Sequence, residues 1–135
     1  MKRNLAVSIV IAMALAATAW AEAPAVGEKE TGLAAVYSDA LNGHTTASGQ
    51  AYDKTKLTAA HKTLPFGTKI KITNTKNNRS VIVRVNDRGP VQAGRMLDIS
   101  EAAAARLHIG KNVMREVSLE VVSVGSGKTT KQTAK

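Results

Sequence analysis

A chain of 135 residues has room for one domain, and without a single cysteine it excludes disulfides, thiolate-held zinc, a cysteine nucleophile and a lipid-bearing cysteine. Nineteen Lys and Arg against ten Asp and Glu give a formal charge of +9. His44, His61 and His108 lack convergent spacing, so neither a metal nor any other cofactor is expected.

Lys2 and Arg3 precede an uncharged apolar run from Leu5 to Ala17, and Ala19-Trp20-Ala21 sets small residues where a signal peptidase reads. Residues 1–21 are therefore expected to be a signal peptide, and the periplasm or the exterior to be the destination. The run is short of the roughly 20 residues that span a bilayer, so no stable membrane anchor is expected. An exported basic chain meets envelope polymers, not nucleic acid. Its Lys54, Lys56, Lys62, Lys69, Lys71, Lys76, Arg79 and Arg84 are scattered among apolar positions, which reads first as a solvated strand face.

Glu22 to Thr31 has no period and reads as a flexible leader; Gly125 to Lys135 reads as a matching disordered basic tail. The periodic signal lies between, in a single domain over 32–124. Leu33 to Ser38 predicts a strand, and Asp39 to Asp53 a polar excursion. Lys69 to Thr73 alternates at period two, Asn74 to Asn78 supplies a turn, and Ser80 to Val85 returns as a hairpin. Asn86 to Gly94 reads as a loop and Met96 to Ile99 as a short strand. Ser100 is suited to cap a helix through Ala102 to Leu107, with Glu101 in its first turn and Gly110 beyond its end. Val117 to Val122 alternates in a closing strand. Many short strands with one short helix suggest a small β-barrel, because closure removes exposed edges.

Val81 to Ser100, VIVRVNDRGPVQAGRMLDIS, is the richest stretch: acids, arginines and a Gly-Pro pair interrupt a β pattern. Polar groups at a strand end on a rigid scaffold suit a binding or catalytic site. The plain alternative is a hairpin loop whose Asp87 and Arg88 are solvated or paired with each other.

The ordered series TTASGQAYD, LTAAHKTLPFGTKIKITN, RSVIVRVNDRGP and GRMLDISEAAAARL resembles the double-psi β-barrel domain of the rare lipoprotein A (RlpA) family of bacterial septal and envelope proteins. The likeness runs from Gly32 to about Val122. It implies a mainly β, six-stranded double-psi barrel with one or two short helices, and an endolytic lytic transglycosylase acting on peptidoglycan glycan strands, typically those stripped of stem peptides. The family's Ala-Ala-His histidine falls on His61 and its Asn-Asp-Arg-Gly-Pro aspartate on Asp87, both implied to be catalytic. Its acidic Ser/Asn-Gly-Glu position carries Gln50 here, and the aspartate that related expansins and endoglucanases share falls on Asp98. The family's frequent lipid-attachment cysteine and C-terminal peptidoglycan-binding repeat are not found.

In such an enzyme the 6-hydroxyl of muramic acid attacks intramolecularly, so one acid that also acts as base can suffice; hydrolases need two carboxylates. Asp87 is the candidate, with Arg88 beside it favouring a base or electrostatic role. His61 is read either as the proton donor, as a group orienting Asp87, or as a structural histidine. Gln50 can hydrogen-bond a sugar but cannot exchange a proton. Asp98 is either a second carboxylate across the groove or a helper of the helix N-terminus. Tyr37, Tyr52 and Phe66 are the aromatics outside the signal segment; Tyr52 and Phe66 flank the motif loops and are read as candidate sugar faces or as core. Substrate-binding candidates are thus Gln50, Tyr52, Arg88 and Asp98, the partner is a glycan strand, and the protein is expected to be a monomer. Two other classes stay open: a non-catalytic peptidoglycan-binding module, favoured by Gln50, and a barrel that binds a protein through its basic face.

Overall fold

Along Lys69–Asn74 and Ser80–Asp87 the alternation turns Ile70, Ile72, Val81, Val83 and Val85 to one side, where all five are buried. They form part of the wall of a closed barrel. The computed structural model describes residues 24–129, so the expected signal peptide at 1–21 lies outside the described residues. Six strands, β1 (Lys29–Val36), β2 (Thr58–His61), β3 (Lys69–Asn74), β4 (Ser80–Asp87), β5 (Arg95–Ile99) and β6 (Arg115–Ser123), close in the order β1-β5-β2-β4-β3-β6. The pairs β1–β5 and β2–β4 are parallel and the other four antiparallel. This is the small six-stranded barrel that the resemblance implied.

Ile70, Ile72, Leu97, Ile99, Leu107 and Leu119 are at most 2 % exposed and fill the interior; each stabilises the fold by about 1.5–3 kcal/mol through burial. Helix α1 (Glu101–Leu107) closes one end. Ser100 caps it by accepting from Ala103 N–H, as expected; its last turn ends on His108 in the left-handed conformation, two residues before Gly110. Asn74 Nδ2 reaches the Leu107 carbonyl at 2.9 Å and ties the helix end to the β3–β4 turn.

Three expectations are corrected. β1 begins at Lys29, because Lys29, Glu30 and Thr31 pair with Glu120, Leu119 and Ser118 of β6 inside the stretch read as a leader. The tail does not leave the barrel at Gly125: Gly125 N–H donates to Thr68 Oγ1 and Gly127 N–H to the Phe66 carbonyl. Finally, β4 runs on through Asn86 and Asp87, which were read as loop. The TAAH strand β2 carries no alternation and was not foreseen; Ala59 and Ala60 are small enough to sit in the middle of the barrel wall.

Candidate active site

A β-bulge decides which way Asp87 faces. Along a regular strand Asp87, two residues beyond Val85, would share its inward face. The pairing with β2 shifts, however: Ala59 opposes Val85 while Ala60 opposes Asp87, leaving Asn86 as an extra residue. Ala59 belongs to the core, so Ala60 and Asp87 face outward. Ala60 is also opposed by Asp98 of β5, which in turn opposes Ala35 of β1. Asp87, Ala60 and Asp98 therefore form one row on the outer face, with the two aspartates about 10 Å apart at their Cα atoms, two strand spacings. Between them Ala60, 1 % exposed, packs with Tyr37 and Tyr52.

Three donors converge on the Asp87 carboxylate. Ala47 N–H and Arg88 N–H both donate to Oδ1, at 2.9 and 2.8 Å, and the Tyr37 hydroxyl donates to Oδ2 at 2.5 Å. Oδ1 is thereby saturated, while Oδ2 keeps a lone pair. Burial pushes the Tyr37 phenol well above its ordinary range, and the hydrogen bond to Asp87 and the charges of Asp87 and Asp98 push it further. The phenol consequently remains a donor. Its ring stacks on Tyr52 with centroids 4.2 Å apart, and the Tyr52 hydroxyl accepts from Glu101 N–H at 3.1 Å. Tyr52, 2 % exposed, is thus a support for Tyr37 and offers no face to a sugar. Burial also raises the Tyr52 phenol above its usual value.

A cleft of about 410 Å³ runs past this row, bordered by Tyr37, Leu41, Asp87, Pro90, Val91 and Asp98. Leu41 and Val91 are 40 % and 91 % exposed, apolar groups at the cleft that no core burial explains. Asp98 is held by Arg95 Nη2 at 2.5 Å, not by the helix N-terminus. These anchors fix the direction of both carboxylates.

The remaining candidates do not join it. His61 follows the outward Ala60 and so lies on the opposite face of β2 from the two aspartates. Its Nδ1 accepts from Thr63 and Leu64 N–H, both at 3.1 Å, which leaves Nε2 to donate to Glu30 at 2.8 Å. Nδ1 thus holds the 61–64 turn and Nε2 ties it to Glu30 of β1, so both ring nitrogens are occupied. The Arg88 guanidinium turns away from Asp87 as well: Nη1 donates to the carbonyls of His61 and Leu64 and the group lies 4.2 Å from the Phe66 ring centroid. That contact also covers one face of Phe66. Gln50 sits across the loop 46–50 from Asp87, with Oε1 accepting from Arg84 Nη1 at 2.9 Å and Asn86 Nδ2 at 3.3 Å. Among the described residues no cluster of three or more His, Asp or Glu could hold a metal ion.

Sequence reasoning missed two partners of Asp87. Tyr37 was noted only as an aromatic, and the Ala47 N–H belongs to a backbone group that no motif marks. The polar excursion from Asp39 to Asp53 was the one available signal for Ala47, while Tyr37 lies before it, in the predicted strand.

The lytic transglycolase family model matches residues 29–119. The endolytic peptidoglycan transglycosylase RlpA of Campylobacter jejuni is 46 % identical over 102 residues, which is 76 % of this chain and 37 % of that protein, so the chain spans little more than a third of its relative's length. The Clavibacter michiganensis expansin is 25 % identical with a TM-score of 0.55, over 74 % of this chain and 53 % of that one. A Streptomyces papain inhibitor, 23 % identical with a TM-score of 0.57, shares the fold over 75 % of this chain and 99 % of its own. Matched over most of its barrel, the chain belongs to the lytic transglycolase family, the double-psi β-barrel family of the RlpA transglycosylases.

Proposed function

We propose that this protein is an endolytic peptidoglycan transglycosylase, exported to the periplasm or the exterior, that acts as a monomer on glycan strands in the cleft between Asp87 and Asp98. One observation carries the reading: Asp87 Oδ2, fixed by Tyr37 and still holding a lone pair, borders an open cleft with a second carboxylate on its far side. A carboxylate that accepts three hydrogen bonds is suited to begin the reaction as a base. As O6 of a muramic acid attacks C1, its proton passes to Oδ2; the C1–O4 bond breaks and Oδ2 returns the proton to the departing O4. The new C1–O6 bond closes a 1,6-anhydro ring, no water is consumed, and Asp87 ends as it began. Asp98, across Ala60, stabilises positive charge developing at C1. His61 is a positioning residue: it holds the turn whose carbonyls anchor Arg88, and Arg88 N–H in turn holds Asp87.

The names of the curated relatives support the same activity. Mass spectrometry of products from purified peptide-free glycan strands tests it. Fragments ending in anhydro-muramic acid are expected, and Asp87→Asn, which keeps volume but cannot move a proton, should release none while melting cooperatively. Sedimentation with sacculi without release by the unaltered protein would instead favour a glycan-binding module, a second reading that the neutral Gln50 supports.

A further inference from the structure

Arg84 carries a charge that its surroundings do not neutralise. Its hydrogen-bonded partner Gln50 is neutral, and among the described residues no carboxylate lies within ion-pair distance of it. Lys69 stands directly opposite it on β3, and Lys56 borders the same cleft, so two further cations lie near it. This second cleft, about 440 Å³, is bordered by Gln50, Asp53, Lys56, Thr58, Arg84 and Asn86. Its one carboxylate, Asp53, is held by Thr55 through N–H, at 2.9 Å, and hydroxyl, at 2.7 Å, and stays ionised, offsetting one of these cations without pairing with Arg84. Two further polar groups at the cleft are unpartnered among the described residues: the Thr58 hydroxyl is buried without a hydrogen bond, and Gln50 Nε2 makes none.

We propose that Arg84 and Gln50 form a carboxylate-accepting subsite, and that the group it takes is the free lactyl carboxylate of a muramic acid in the bound strand. This rests on the glycan-cleaving reading. A glutamate at position 50 would meet Arg84 Nη1 where Gln50 Oε1 now does and cancel its charge. Glutamine fixes the guanidinium equally well, leaves it positive, and adds an N–H donor of its own; a carboxylate is the anion that such a pair of donors fits. Arg84 opposes Thr58 and Asp87 opposes Ala60, so the bulge sets both Arg84 and Asp87 on the outer face, about 7 Å apart, the rise of the two residues from Thr58 to Ala60. One oligosaccharide can touch both.

Calorimetric titration of the full chain with muramic-acid-containing glycan and with the same glycan after carboxyl reduction tests the subsite, the reduced strand being the internal reference for each protein. The unaltered protein should bind the carboxylate form about 10-fold tighter, the scale of one charge-assisted hydrogen bond. Gln50→Glu and Arg84→Gln should each bring that ratio close to one, and Gln50→Glu should melt no lower than the unaltered protein, which separates the effect from misfolding. Equal binding of the two strands by the unaltered protein, or an undiminished ratio in Gln50→Glu, overturns the proposal. Peptide-bearing strands, whose lactyl group is an amide, should bind like the reduced strand; if they match the free-carboxylate strand, the lactyl assignment fails. A 10-fold preference in a protein that releases no anhydro ends would leave the subsite standing and remove the transglycosylase reading.

Discussion

Replacing Tyr37 by phenylalanine takes one oxygen out of the protein at the point where the proposed reaction is most sensitive. The ring stays, and with it the stack on Tyr52 at 4.2 Å. What disappears is the hydrogen bond to Asp87 Oδ2, the oxygen assigned to carry the proton. A hydrogen bond to a charged group contributes about 1.5–3 kcal/mol. If that contribution serves to aim Oδ2 and is felt in the transition state, kcat falls by roughly 10- to 100-fold, since 1.36 kcal/mol is a factor of ten. KM should change little, because Tyr37 is buried and meets the strand at most by its edge. Time courses of anhydro-end release from peptide-free strands give both constants, and a cooperative melt shows that the barrel persists. A kcat within two-fold of the unaltered enzyme would refute the reasoning: Asp87 would then be held well enough by Ala47 and Arg88 N–H alone, and Tyr37 would be core.

Three further outcomes are expected. Stability should hold up to about pH 10 and fall above it. The folded-state phenols of Tyr37 and Tyr52 are raised above their unfolded values, so their contribution is complete below the unfolded pKa and is lost as pH rises through the folded one; urea unfolding from pH 8 to 11 should show the fall, and Tyr37→Phe should lessen it. His61→Ala leaves the buried Leu64 N–H and the part-buried Thr63 N–H without an acceptor and should cost about 2–4 kcal/mol, read from denaturant midpoints, while the pH–rate profile keeps its shape. Loss of a limb between pH 5 and 8 would instead make His61 a proton carrier. Gly125→Ala puts a Cβ 2.2 Å from the Phe66 carbonyl oxygen, a backbone clash worth about 1–3 kcal/mol and a melting point lower by about 10 °C; an unchanged melt would mean that the 125–127 segment does not pack as described.

Legibility in the sequence followed the kind of signal each part leaves. The β3–β4 hairpin and the Ser100 cap were readable because alternation and capping are local: each needs only neighbours along the chain. β2 was not readable, since TAAH has no alternation and Thr58 as its one β-branched residue, and becomes a strand only because β4 and β5 pair on either side of it. The motifs marked Asp87 and Asp98, yet nothing in the order of letters tells that a bulge at Asn86 turns Asp87 out of the core and into line with Asp98 across Ala60. Without that extra residue the same Asn-Asp-Arg-Gly-Pro run would bury its carboxylate behind Val85. His61 and Arg88 illustrate the converse. Each is a polar letter in a motif, but the partners that occupy them, Thr63 and Leu64 N–H for one and two carbonyls and the Phe66 ring for the other, come largely from backbone atoms or from a residue whose side chain read as either a sugar face or core. Motif positions thus divide into those that face the cleft and those that hold the loops in place, and only the pairing register separates the two. Gln50 belongs to neither group alone: it holds the loop end through Asn86, and by being neutral it leaves Arg84 charged beside a cleft. A single departure from a family's motif is therefore as open to a change of ligand as to a loss of function, and the charge of the residue that it touches decides which to test first.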